Sequence, residues 1–272
     1  MPTIPPEQAR PFETHRQRQV AESFGSDAGR YDRARPSYPG ALVDRIVAAS
    51  PGRDVLDVGC GTGIAARLFQ AAGCRVLGVD PDERMASVAR QAGLEAEVTT
   101  FEDWDGAGRE FDAVIAAQAW HWVDPVAGAA NAARVLRPGG RLAVFWNAAQ
   151  LPPELAAASA EVYRAVQPGL PFNPWTRPVI EAYQFMCAKA ADGIREAGGF
   201  SEPEEWRFDW DRAYTRDEWL DQVPTFGFHH QLPPATLQQV LAGLGGAIDA
   251  AGGSFTMHYA TVVVIAARTG AS

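Results

Sequence analysis

Val55-Leu56-Asp57-Val58-Gly59-Cys60-Gly61-Thr62-Gly63 is the stretch of sequence that decides the fold. Its apolar first half predicts a buried β-strand, and three glycines at alternate positions then predict a tight turn. The helix-compatible segment Ile64 to Ala72 follows, so the glycines fall where a strand becomes a helix N-terminus. Glycines at such a junction let the backbone approach a ligand closely, beside the free amides of the helix start. The stretch therefore predicts a ligand-binding turn.

The glycine spacing separates this turn from two other nucleotide-binding turns. A dinucleotide fingerprint has the form G-x-G-x-x-G, whereas this chain has G-x-G-x-G with Asp57 two residues ahead of the first glycine. A P-loop needs a lysine after its last glycine, and Lys189 is the only lysine in the chain. An acid beside the turn also suits a cationic ligand better than a pyrophosphate. An NAD(P)-dependent oxidoreductase is therefore disfavoured.

The pattern D-x-G-x-G-x-G resembles motif I of the class I S-adenosylmethionine-dependent methyltransferases. V-D-P-D-E-R-M (79–85) resembles the second motif of this superfamily. Two other segments, Y-D-x-x-R-P-x-Y-P (31–39) and W-H-W (120–122), resemble its small-molecule, methyltransferase type 11-like branch of enzymes similar to trans-aconitate methyltransferase. The resemblance covers about residues 24 to 268. It implies S-adenosylmethionine as cofactor and methyl transfer to a small molecule, at a carboxylate or hydroxyl oxygen. The alternative is an S-adenosylmethionine-binding protein with a regulatory role or with non-methylating sulfonium chemistry.

The resemblance implies a set of cofactor contacts. Tyr31 and Arg35 belong to a segment that folds over the cofactor as a lid and meets its methionine carboxylate, which a guanidinium binds bidentately; the alternative is a surface arginine with Tyr31 packed on the core. Asp80 ends the second predicted strand and accepts the ribose hydroxyls, or it caps the helix that begins near Asp82. The other implied contacts are Asp57, Gly59, Cys60, Gly61, Gly63, Pro81, Met85, Phe101, Glu102, Ala117, Gln118 and Trp122.

Candidate catalytic and substrate-binding residues lie farther along the chain. The titration range of His121 suits proton removal from a substrate, although a structural role in the Trp cluster is the alternative, because methyl transfer to a carboxylate needs no base. Residues 150–200 form a proline-punctuated helical insertion, interpreted as a substrate-side cap or as ordinary helical core. The candidate substrate contacts are Trp120, His121, Trp175 and Arg177. No metal site is predicted, since His229 and His230 have no nearby cysteine or suitably spaced acid.

Strands and helices alternate from Leu42 to Trp146, which indicates a parallel sheet with helices on both faces. Together with the resemblance, this predicts an α/β, Rossmann-like, doubly wound and mostly parallel seven-stranded sheet whose last strand is antiparallel. The glycines at 243, 245 and 246 predict a broken helix over Leu232 to Ile248. The predicted units are an N-terminal arm (1–24) and a methyltransferase domain (25–272) that contains the lid and first helix (25–48) and the helical cap (150–200).

Composition limits the partners. Hydrophobic residues make up 47% of the chain, enough for a packed core, and neither an apolar run of membrane-spanning length nor a signal sequence is found. The 24 basic and 33 acidic residues argue against a general nucleic-acid or anionic-membrane surface. We therefore expect a cytoplasmic monomer or homodimer whose partner is a small-molecule methyl acceptor. The three cysteines are expected to be reduced and buried.

Overall fold

A single seven-stranded sheet forms the centre of the protein. The computed structural model describes residues 24–166, 175, 179–227, 229 and 232–270. The strands are β1 (Asp54–Val58), β2 (Arg75–Asp80), β3 (Glu95–Val98), β4 (Phe111–Ala117), β5 (Leu136–Gln150), β6 (Glu204–Thr215) and β7 (Ser254–Ala267). Their order is β3-β2-β1-β4-β5-β7-β6; β1 to β5 run parallel, and β7 is antiparallel to β5 and to β6. The predicted Rossmann-like α/β fold is confirmed.

Helices cover both faces of this sheet. They are α1 (Ala28–Ala34), α2 (Gly40–Ala49), α3 (Ile64–Ala71), α4 (Glu83–Gln91), α5 (Pro125–Val135), α6 (Pro153–Val166), α7 (Val179–Ala197), α8 (Arg216–Gln222) and α9 (Pro234–Ala250). Leu42, Phe69 and Ala86 of α2, α3 and α4 pack in one core with β1 and β2. Helices α5 and α7 cover the opposite face. Because the order reverses between β1 and β4, a crevice opens at the carboxyl ends of these two strands.

The predicted cap over residues 150–200 divides into two parts with different roles. Helix α7 covers the sheet, since Cys187 and Ile194 are buried in the same core as Leu142 of β5. Helix α6 instead shares a separate core with α8, α9 and the adjoining ends of β6 and β7. The strand register places these ends beside the carboxyl end of β5. Helices α6, α8 and α9 therefore form a cap at this edge of the sheet, and the substrate-side role predicted for residues 150–200 stays a prediction.

Helix α9 is continuous, so the predicted break at its glycines is wrong. A Cβ on Gly243 would lie 2.6 Å from Val162 Cγ1 of α6, and one on Gly245 would lie 2.8 Å from a guanidinium nitrogen of Arg216. Gly243 therefore permits the close packing of α9 on α6, whereas the group near Gly245 is the end of a flexible side chain. Tertiary contacts offset the intrinsic cost of glycine in a helix.

Cys60, Cys74 and Cys187 are free and buried, as expected. No helix in the described part of the chain combines the length and apolarity that a membrane span requires. The N-terminal arm before Phe24 and the candidate substrate contact Arg177 lie outside the described residues.

Candidate functional site

The glycine turn after β1 is held against the neighbouring strands. Gly59, Gly61 and Gly63 have positive φ angles of 65°, 55° and 86°, which L side chains rarely adopt. The amides of Gly59 and Cys60 donate to the Val79 carbonyl of β2, at 2.8 and 3.1 Å. The Cys60 side chain is buried, so this residue offers a ligand its backbone rather than its thiol. The predicted strand-turn-helix junction is present at the crevice between β1 and β4.

Asp80 joins the glycine turn to the end of β2. Its Oδ2 accepts a hydrogen bond from the Gly61 amide at 2.8 Å, and its Oδ1 accepts one from the Asp82 amide at 2.9 Å. Burial raises the pKa of Asp80 to about 6, although these two bonds oppose the shift. The N-cap of α4 is Asp82, whose side chain accepts from the Arg84 amide. The capping alternative for Asp80 is therefore wrong, and its remaining lone pairs are available to hydroxyl donors.

Asp57 is the buried acid of the turn whose carboxyl oxygens lack hydrogen-bond partners. The residue is 1% exposed, and neither carboxylate oxygen has a hydrogen-bond partner within bonding geometry among the described residues. Burial, and then repulsion from Asp80, raise the pKa of Asp57 to about 8, while the Ala66 amide slightly opposes this rise. An orphaned carboxyl group of this kind fits a ligand that brings a positive charge.

The end of β4 forms the other wall of the crevice. Gln118 has φ of +56°, a strained conformation for a residue other than glycine. Its amide donates to the Phe145 carbonyl at 2.9 Å, and its Nε2 lies 3.4 Å from the Asn147 carbonyl oxygen. The preceding Ala117 is half-buried. Hydrogen bonds to backbone carbonyls thus fix both the glycine turn after β1 and the end of β4. The positive φ angle of Gln118 could not be predicted from the sequence.

His121 lies behind this wall and interacts with two tryptophans. The Trp146 indole Nε1 donates to His121 Nδ1 at 3.2 Å, and the rings of His121 and Trp122 are 4.7 Å apart. Burial lowers the pKa of His121 to about 4, so the imidazole is neutral at pH 7. Since Nδ1 accepts the hydrogen bond from Trp146, the hydrogen of the neutral ring is assigned to Nε2. This arrangement favours the structural alternative over proton removal by His121.

We expect His121→Asn to retain most of the stability of the protein, since its side-chain oxygen replaces Nδ1 as the acceptor for Trp146. His121→Ala leaves a buried indole N–H without an acceptor and is expected to cost about 1–3 kcal/mol. Urea unfolding of the two variants measures this difference. Equal stability of the two variants would show that the Trp146 bond contributes little.

Several predicted contacts have partners elsewhere in the fold, and their contact with cofactor or substrate stays a prediction. Trp120 is 2% exposed and packs against Phe101, which argues against direct contact with a substrate. The Phe101 ring also stacks on Trp104, and the Phe101 carbonyl accepts a hydrogen bond from Asn131. Glu102 accepts the Asp124 amide at 2.9 Å, just before α5.

Three predicted contacts remain, namely Met85, Pro81 and Trp175. Met85 is 5% exposed, and its Cε would lie 3.4 Å from a Cβ on Gly61, so it is both a core residue and a neighbour of the turn. Pro81 is exposed. Trp175 packs on Trp219 of α8, with ring centres 6.0 Å apart. This contact places Trp175 in the cap core.

The lid segment and α7 add tyrosine side chains to the surroundings of the crevice. Tyr38 packs edge-on against Phe145 at 5.0 Å, and the carbonyl of Ser37 accepts a hydrogen bond from Asn147 Nδ2 at 3.0 Å. Tyr183 of α7 interacts with Gln118 and with Arg35. Tyr183 is isolated in the sequence, and only the packing of α7 on the sheet brings it to the crevice.

The fold, the glycine turn and the two buried acids resemble those of the class I S-adenosylmethionine-dependent methyltransferases, whose cofactor is S-adenosylmethionine. Residues 56–144 match the family described as "Methyltransferase domain". The buried Asp57 suits the positive charge of such a cofactor, and Asp80 suits its ribose hydroxyls.

Particular relatives agree with this class. An uncharacterised methyltransferase of Mycobacterium bovis is 45% identical over 132 residues, which cover 48% of this chain and 54% of that protein. A ubiquinone biosynthesis O-methyltransferase of Hahella chejuensis is 43% identical over 103 residues, which cover 35% of this chain and 43% of that protein. The chain thus spans about half the length of the curated relatives it matches.

One solved structure is similar to this chain over more of its length than the sequence relatives are. It is described as a type II methyltransferase from Anaeromyxobacter dehalogenans, with a TM-score of 0.64 and 24% identity. The match covers 87% of this chain and 99% of that chain. At this level of identity the likeness establishes the fold. The narrower resemblance to trans-aconitate methyltransferase stays a prediction.

Proposed function

We propose that the protein transfers a methyl group from S-adenosylmethionine to a carboxylate or hydroxyl oxygen of a small molecule. The observation that carries this proposal is the pair of buried acids, Asp57 and Asp80, at one glycine turn. Neither acid forms an ion pair with a cation in the described part of the chain. A cationic nucleoside ligand would satisfy both, whereas a pyrophosphate would be repelled.

The cofactor, when bound, supplies an electrophilic methyl group on a sulfonium centre. Asp57 would balance the positive charge, and Asp80 would accept the ribose hydroxyls while it holds the Gly61 amide. Gln118, fixed by the Phe145 carbonyl, would border the methionine part. These residues contribute alignment and charge neutralisation, the main contributions that an in-line transfer needs from a protein. The neutral His121 does not act as the base in this scheme.

Support for an oxygen acceptor comes from a relative. The Hahella chejuensis protein is named as an O-methyltransferase of ubiquinone biosynthesis, and its match covers 35% of this chain. The cap of α6, α8 and α9 lies on the same edge of the sheet as the glycine turn. An acceptor entering beneath this cap would meet the cofactor at the ends of β1 and β4. The cytoplasmic location and the monomeric or homodimeric state stay predictions.

We expect Asp80→Ala to weaken S-adenosylmethionine binding at least tenfold, or about 1.4 kcal/mol. The variant loses the acceptor for the Gly61 amide and the partner for the ribose hydroxyls. Calorimetric titration measures the change. Asp82→Ala is the matched control, because it removes a buried acid two residues away that caps α4. Absence of binding by well-folded wild-type protein would contradict the proposal.

A second assay separates methyl transfer from the regulatory alternative. Protein loaded with S-adenosylmethionine carrying a radioactive methyl group is incubated with pools of small carboxylic acids, phenols and alcohols. Label recovered in an acceptor, with S-adenosylhomocysteine formed in equal amount, supports the enzyme. Tight binding with no labelled product in any pool supports a binding protein.

A further inference from the structure

Arg35 belongs to the lid segment and contacts the turn between α8 and α9 of the cap. It follows α1, and its Nη2 donates to the Thr225 carbonyl at 3.1 Å, in the turn that follows α8. Its guanidinium carbon lies 4.9 Å from the centre of the Tyr31 ring and 5.2 Å from that of the Phe226 ring. One hydrogen bond and two aromatic faces thus fix the guanidinium in place.

The guanidinium of Arg35 is incompletely satisfied. Its Nε is shielded from solvent and has no hydrogen-bond partner in the described ranges. The preceding arginines of the lid differ, because Arg30 and Arg33 both pair with Asp221 of α8. No carboxylate in the described residues lies within ion-pair distance of Arg35. A buried charged donor without an acceptor is costly, so this position is suited to an anion that arrives with a ligand.

The groups around Arg35 are neutral donors. Burial raises the pKa values of Tyr38, Tyr183 and Tyr214, and the positive charge of Arg35 opposes each shift. These phenols therefore keep their protons at neutral pH. Tyr214 is also hydrogen-bonded to Tyr259, with 2.7 Å between the hydroxyl oxygens. A surface of one guanidinium and several phenol groups favours an electron-rich oxygen.

Arg35 lies on the cap side of the site. Tyr38 interacts with both Asp57 and Arg35, whereas the leading charge interaction of Asp57 is with Asp80. Thr225 and Phe226, the other contacts of Arg35, belong to the segment between α8 and α9.

We propose that Arg35 anchors an oxyanion of the methyl acceptor, such as a carboxylate or an enolate, instead of the methionine carboxylate of the cofactor. This inference rests on the proposed function and names the acceptor class for its site. The phenols of Tyr38 and Tyr183 would lie beside the same anion. The acceptor is then a small molecule that carries a negative charge at one end.

Acetate and acetamide form a matched pair of probes for this site, because they have nearly the same size and differ in charge. The Nε–H resonance of Arg35, assigned by its loss in Arg35→Lys, is followed by NMR during each titration. We expect a saturable shift with acetate and none with acetamide. Arg35→Met should abolish the acetate-dependent shifts of neighbouring amides, and Arg45→Met is the control, since Arg45 stacks on Trp206 elsewhere. No saturable response at millimolar acetate would overturn the proposal.

The same variants distinguish the acceptor from the cofactor as the source of the carboxylate. We expect Arg35→Met to change the affinity for S-adenosylhomocysteine by less than about threefold. A loss of tenfold or more, with unchanged affinity for 5′-methylthioadenosine, which lacks the carboxylate, would assign Arg35 to the cofactor and overturn the proposal. Acetate is titrated with and without S-adenosylhomocysteine. Failure of wild-type protein to bind S-adenosylhomocysteine would therefore contradict the proposed function separately from the role of Arg35.

Discussion

Asp57→Asn is expected to make the ligand-free protein more stable and to weaken S-adenosylmethionine binding at least tenfold. The buried Asp57 carboxyl has no hydrogen-bond partner in the described structure and a pKa of about 8. At pH 7, folding must hold a proton on a group that would be ionised in the unfolded chain. Asparagine removes this cost, on the order of a few kcal/mol, but it also removes the negative charge that a cationic ligand needs.

The pH dependence of this effect has a defined sign. The Asp57 pKa rises from 3.8 to about 8 on folding, so the native state binds more protons than the unfolded state between these values. The free energy of unfolding should therefore fall as pH rises from about 4 to 8. Urea unfolding across this range should show a flatter profile for Asp57→Asn than for wild type.

Cofactor binding should follow the opposite trend. A bound cation lowers the pKa of Asp57, so binding releases a proton and the affinity of wild-type protein rises from pH 6 to 8. Calorimetry in buffers of different ionisation enthalpy detects the released proton, which Asp57→Asn should not show.

Asp112→Asn is the matched control for Asp57→Asn. Asp112 is also a buried acid, but it accepts the Asp54 amide at 2.9 Å and pairs with Arg137 at 3.0 Å. Its replacement should destabilise the protein by about 1–3 kcal/mol and leave cofactor affinity unchanged. If both variants lose stability, Asp57 has a stabilising partner in the folded protein and the assigned role is wrong.

Local patterns predicted the sheet and one end of the site. The apolar run before Gly59 and the acid at the end of β2 each depend on neighbours in sequence, and each is present in the structure. Contacts that form only through packing were not predicted. Tyr183 interacts with Gln118 and Arg35 because α7 covers the sheet, and sequence spacing alone does not contain that information.

Some sequence patterns occur in more than one structural setting, and they do not predict which setting applies. Glycines break a helix in isolation, but in α9 they permit close contact with α6. An aromatic residue after a strand suits a ligand edge, but Trp120 is drawn into the core by the neighbouring Phe101. The strain at Gln118 has no sequence signature, since most residues with positive φ are glycines.

Gly59→Ala is expected to be the most damaging single-methyl change in the glycine turn. A Cβ at this position would lie 2.4 Å from the Cβ of Ala119, and the φ of +65° is already unfavourable for alanine. The backbone and the residue after β4 cannot both keep their positions. Because Ala119 follows Gln118, the shift would reach both walls of the crevice. We expect a loss of at least about 2–3 kcal/mol of stability and loss of measurable cofactor binding.

Gly61→Ala separates the contact from the backbone strain. Gly61 has a similar φ of +55°, but the nearest atom to its added Cβ is the flexible Met85 Cε at 3.4 Å. This variant should lose only about 1–2 kcal/mol. The double variant Gly59→Ala, Ala119→Gly removes the clashing methyl group and should recover the difference between the two single glycine variants, as urea unfolding would show. Recovery of cofactor binding in the double variant would show that the contact between the glycine turn and the end of β4 sets the width of the crevice. Equal losses for Gly59→Ala and Gly61→Ala, without rescue, would mean that only the positive φ angles matter.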